Sequence, residues 1–211
     1  KQALLSLPDA EFTLLDTPGH VDFSAEAERA LQVLDYAILV ISGTDGVQSH
    51  TETLWRLLER YHVPVFLFIN KMDLPGADRA LLMDQLRRRF GEGCIDLNSP
   101  ESAEELAMCN EDLLETVTDG RKPSEAQLAE AVSRRELFPC LFGAALRLEG
   151  VDELLDSLVH LTRSETERKE FGARIFKVTH ANSGERLTWL KVTGGELKVK
   201  DELVSRDDAR V

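Results

Sequence analysis

Three runs of uninterrupted apolar residues constrain this chain more than any other feature: Tyr36 to Ile41, Val63 to Ile69 and Leu137 to Phe142. Each has the length of a buried strand, and none approaches the roughly 20 residues that would cross a bilayer. A strand that is apolar on both faces needs cover on both. Before, between and after these runs the apolar spacing turns helical, over Phe23 to Val33, Val47 to Tyr61 and Val151 to Leu161. Strands of this kind alternating with helices predict βαβ units, hence a parallel sheet between two helical layers. Open sheets of that class collect ligands at the carboxyl ends of their strands.

The polar clusters fall at such ends. Glu11 to Leu15 is a short β-prone run that stops on Asp16, with the turn residues Pro18 and Gly19 after it. Asn70, Lys71, Met72 and Asp73 follow the second long run, and Gly143, Ala144 and Ala145 follow the third. The region from Ala77 to Arg135 is helical but polar, with helices near Asp78 to Phe90, Glu111 to Val117 and Ser124 to Arg135 and a loop from Gly91 to Pro100. It reads as a lid or insertion. Thr162 to Lys169 reads as a linker, after which Phe171 to Thr179, Leu187 to Val192 and Glu196 to Lys200 alternate like strands, with turns at Gly184, Gly194 and Gly195. The expected organisation is an α/β domain over 1–165 and the beginning of an all-β barrel over 170–211, about 40 residues being fewer than a closed barrel uses.

Composition removes several alternatives. A net charge of −13 opposes nonspecific attraction to phosphate backbones. Three cysteines without a CxxC pair argue against a disulfide framework or a zinc site and fit a reducing cytoplasm. Lys1 to Pro8 carries no signal-peptide pattern and no initiating methionine, so the chain is expected to begin within a longer polypeptide. His50 and His62 read as surface or satisfied core residues, and Arg87, Arg88 and Arg89 as the solvated face of a charged helix.

Asp16, Thr17, Pro18, Gly19 and His20 place a carboxylate directly after a strand, then a turn whose backbone N–H groups can face an anion. The run Asp16 to Phe23 resembles the third nucleotide-binding motif of the translational GTPases, and similarity to the elongation factor G family continues through Val33 to Asp35, Gly46 to Gln48 and Thr51 to Trp55. The resemblance implies a P-loop GTPase-type sheet that handles GTP and GDP with Mg²⁺. Asp16 would hold the metal through water, Gly19 would donate its N–H to the γ-phosphate, and His20 would position the attacking water. Asn70, Lys71 and Asp73 resemble the guanine-reading motif. A carboxylate at Asp73 can accept from both the N1–H and the exocyclic amine of guanine, a donor pair adenine lacks. Lys71 would lie along the purine, and Asn70 would tie base and loops together. Gly143, Ala144 and Ala145 occupy the place of the fifth motif, whose backbone N–H meets guanine O6. Ala144 stands where the family usually has serine, which removes a hydroxyl but leaves the backbone donor.

Asn110 to Leu114, Leu137 to Pro139 and, further on, Phe176 to Val178 and Thr193 to Leu197 are most similar to the tetracycline-resistance ribosomal protection proteins. The resemblance implies a monomeric cytoplasmic partner of the ribosome, of its rRNA and proteins, with no membrane attachment. No GxxxxGK[ST] occurs in the chain, so the phosphate nest, its lysine and the first-switch threonine are expected upstream of Lys1. The chain alone is therefore expected to bind guanine nucleotide poorly and to hydrolyse no GTP. Two other readings remain at this stage, a nucleotide-free interaction module and a plain elongation factor G-type translocase.

Overall fold

The structure is a computed structural model that describes residues 2–16, 25–163, 169–181 and 183–202, with backbone alone for 25–27. It divides into two compact units, 1–163 and 164–211. At the centre of the first lies a parallel sheet in the order β3 (Ala37–Ser42), β4 (Val65–Asn70), β6 (Phe138–Phe142), β5 (Cys94–Ile95). Strand alternation sorts the β4 side chains onto two faces. Val65, Leu67 and Ile69 join one apolar cluster with residues of α1 (Ala25–Leu31), α2 (Ser49–Arg60) and α3 (Arg79–Phe90). Phe66 and Phe68 join another with residues of α4 (Ser102–Ala107), α5 (Glu111–Thr118), α6 (Glu125–Ser133) and α7 (Val151–Leu161). The expected sheet between two helical layers is thus present around β4, every residue of which from Val65 to Ile69 is buried.

Coverage of β3 is one-sided among the described residues. Leu39 and Ile41 are buried, whereas Ile38 and Val40 on the opposite face are 36% and 57% exposed. The first strand pair departs from the parallel expectation. β1 (Gln2–Ser6) and β2 (Glu11–Leu15) form an antiparallel hairpin of their own, closed by the Leu7 N–H donating to Ala10 O at 2.8 Å.

The stretch expected as a lid or insertion contributes side chains to the core, which a lid would not do. Leu86, Ile95, Leu113 and Val132 are fully buried, and Cys94 and Ile95 add a strand beside β6. Three of its helices, α3, α5 and α6, start where side chains satisfy the orphan N–H groups of the first turn. Asp78 accepts from Ala80 and Leu81 N, Asn110 accepts from Leu113 N, and Ser124 with Gln127 makes a capping box. The polar surface of these helices hid their apolar inner stripes.

Among its described residues the second unit contains one antiparallel pair, β7 (Gly172–His180) with β8 (Arg186–Gly194). Glu196 to Lys200 is not a strand. Asp201 accepts from the Lys198 N–H through its side chain at 2.7 Å and donates its own N–H to Lys198 O at 3.1 Å, which closes a turn there. No helix among the described residues is long and apolar enough to cross a membrane.

Candidate guanine-nucleotide site

Register places the ends of three strands level. Ser42 of β3 sits beside Asn70 of β4, and Ile69 beside Phe142 of β6, so the loops that follow emerge together. Main-chain bonds then join them: Gly43 N–H donates to Asn70 O at 2.7 Å, Gly143 N–H to Ile69 O at 2.9 Å, and Met72 N–H to Gly143 O at 3.0 Å. Asn70 is the centre of this junction. Its Oδ1 accepts from its neighbour Lys71 N at 2.8 Å and from Ala145 N at 2.9 Å, 75 residues further on. The first bond accompanies a left-handed Lys71, φ 66°, a conformation that costs a non-glycine residue energy and so needs such support.

A cleft of about 410 Å³ opens at these strand ends, lined by Ser42, Asp45, Gln48, His50, Asn70 and Lys71 among others. Asp73 follows on an otherwise exposed turn, but its side chain is only 17% exposed and pairs with Arg147, Nε to Oδ2 3.1 Å. Arg147 ends a 3₁₀ turn, Ala145–Arg147, held in place by the Ala144–Glu149 bridge. The structure therefore brings together Asn70, Lys71, Asp73, Gly143, Ala144 and Ala145. Asp16 lies exposed directly after β2 and is not among the residues that line this cleft. Thr17, Pro18, Gly19 and His20 lie outside the described residues.

The arrangement supplies a carboxylate acceptor, a lysine stem beside the cleft and a turn of backbone donors. The N–H groups of Gly143, Ala144 and Ala145 are already given to Ile69 O, Glu149 O and Asn70 Oδ1, and that of Arg147 goes to Ala144 O. Among the described residues the turn's remaining donor is the Leu146 N–H, on a residue 99% exposed. Sequence reasoning missed Leu146 and Arg147. Neither carries a local signal, because one is marked by what its neighbours bond and the other by a partner 74 positions away.

The family model for the elongation factor Tu GTP binding domain matches residues 2–164. The chain belongs to that family. It is 33% identical to the tetracycline resistance protein TetM of Streptomyces lividans over 95% of its length, and 30% identical to TetS of Listeria monocytogenes over 92%. It spans about a third of the length of these curated relatives, 36% and 34%. All of it superposes on 39% of a chain in a crystal structure from Thermus thermophilus, with a TM-score of 0.80 at 28% identity. The resemblance to translational GTPases and to tetracycline-resistance proteins holds, as does the α/β GTPase-type fold followed by β structure.

In a domain of this family the junction depends on Gly143. A Cβ at that position would overlap Glu149 O and come within 2.9 Å of Phe68 Cζ, so neither backbone nor core can yield easily. Gly143→Ala is expected to cost about 1–3 kcal/mol, as overpacking does. A urea titration reads this as a lowered midpoint at unchanged slope.

Proposed function

We propose that the full-length protein is a GTPase that acts on the ribosome, with the three joined loops as its guanine pocket. The observation that carries this reading is Asn70, whose one side-chain oxygen joins the loop bearing Lys71 and Asp73 to the loop bearing Ala144 and Ala145 in a family of GTP-binding domains. In this pocket Asp73 accepts from guanine N1–H and its amine, Lys71 lies along the purine, and the turn at Ala144 to Leu146 offers the Leu146 N–H to O6, those of Ala144 and Ala145 being given to Glu149 O and Asn70 Oδ1.

Asp16, exposed directly after β2, is proposed as the metal-facing carboxylate, since Mg²⁺ takes one or two carboxylates and completes its shell with water and substrate phosphates. Bound there, the ion would neutralise charge on the phosphate oxygens. Gly19 and His20 are proposed to face the γ-phosphate and the attacking water. Positioning and charge stabilisation carry most of the rate in phosphoryl transfer, so these two placements matter more than covalent chemistry.

Similarity to TetM and TetS supports tetracycline resistance as the biological outcome. The reading proposed is ribosomal protection by a monomeric cytoplasmic protein that contacts rRNA and ribosomal proteins without a membrane. The test compares the full-length protein with the 211-residue chain by titration with labelled GDP, with ADP as control, and by GTP hydrolysis with and without ribosomes. Selective GDP binding and ribosome-stimulated hydrolysis are expected of the full-length protein. Weak binding and no hydrolysis are expected of the chain alone, since phosphate contacts provide most of a nucleotide's affinity. A full-length protein that binds GDP no better than ADP would falsify the guanine pocket.

A further inference from the structure

We infer that Arg147 is a positioning residue for base selectivity, acting through Asp73. The inference rests on the guanine reading of this site and adds to it a residue that the motifs do not contain.

A carboxylate can read two donors only if its plane faces them, and the terminal torsion of an aspartate is broad and weakly held by intrinsic preference. The Asp73 side chain therefore needs a partner to fix that plane. Arg147 Nε lies 3.1 Å from Asp73 Oδ2. A planar guanidinium hydrogen-bonds directionally, unlike the compact charge of a lysine. The carboxylate has about four lone-pair sites, so the side that faces Arg147 in this ion pair leaves enough for the two donors of guanine.

Arg147 is itself well anchored at its backbone. Its N–H donates to Ala144 O at 2.8 Å, and the left-handed Leu148, φ 61°, turns the chain back so that Glu149 and Ala144 can pair. The guanidinium head is open to solvent, the Arg147 side chain being 62% exposed. Its removal thus leaves no cavity. What it would alter is the orientation of the group that it touches.

The experiment uses the full-length protein and compares GDP with inosine diphosphate, whose base keeps N1–H and O6 but lacks the exocyclic amine. The ratio of the two affinities measures the second hydrogen bond to Asp73. Arg147→Ala is expected to shrink the GDP preference about fivefold, the scale of part of one charged hydrogen bond. Its thermal midpoint without nucleotide should stay unchanged. Arg147→Lys should fall between the two, because it keeps the charge without the planar direction. An unchanged ratio, or equal weakening of both nucleotides, would overturn the inference while leaving the guanine pocket standing. Equal affinity of the unaltered protein for GDP and inosine diphosphate would overturn both.

Discussion

Asp73→Asn in the full-length protein should bind GDP about 100-fold more weakly and xanthosine diphosphate better than the unaltered protein does. Guanine presents two donors, N1–H and the amine, to a group that is acceptor-only when ionised. An amide offers one acceptor and one donor, so its NH₂ would meet the guanine amine head on. Xanthine replaces that amine with a carbonyl and restores the match. Once the base lies over it, the Asp73 side chain, 17% exposed on a residue otherwise open to solvent, is cut off from water, which then cannot easily repair the mismatch. An unpaired or opposed polar pair at such a depth costs about 1–3 kcal/mol, more for charged groups. Competition titrations with the two diphosphates read the exchange directly, and a variant that kept its preference for guanine would remove Asp73 from the pocket.

The largest loss of stability is expected from Trp55→Ala. Trp55 is 7% exposed, stacks on Phe90 with ring centroids 4.3 Å apart, and meets Phe138 edge-on at 4.7 Å. These contacts pin α2 and α3 to β6. Arg135 lies over both Trp55 and Phe138, at 5.1 and 5.2 Å from their centroids, and donates to Val63 O, so the indole also supports the turn before β4. Truncating a buried aromatic of this size costs about 3–5 kcal/mol. Chemical denaturation should show that fall at constant slope, with Trp55→Phe recovering much of it. A loss below about 1 kcal/mol would mean that the two helices hold to the sheet without it.

The sheet was legible because β4 and β6 are apolar on both faces, a pattern that leaves few alternatives to a covered parallel strand. β5 was not, since two residues, Cys94 and Ile95, have no periodicity to read. The buried role of 77–135 was obscured by its polar composition: Leu86, Leu113 and Val132 sit on narrow inward stripes of otherwise charged helices. The hairpin of β1 with β2 escaped because Gln2 to Ser6 is mostly exposed and lacks the alternation of a half-buried strand. At the site, the residue types Asn70, Lys71 and Asp73 could be recognised locally. The bond from Ala145 to Asn70 and the ion pair from Arg147 to Asp73 could not, because they join positions 75 and 74 apart and depend on strand register.

That separation has a kinetic meaning. The hairpins β1–β2 and β7–β8 close over short stretches of chain, whereas β4 must wait for β6, the strand made about 70 residues later. Loop-closure entropy makes such distant pairings the slow ones. Until β6 docks, Asn70 lacks its second donor and Asp73 lacks Arg147, even if every helix has formed. Competence to select a base therefore depends on the long-range pairing of β4 with β6, and a nucleotide that binds only the finished junction stabilises the native state by mass action.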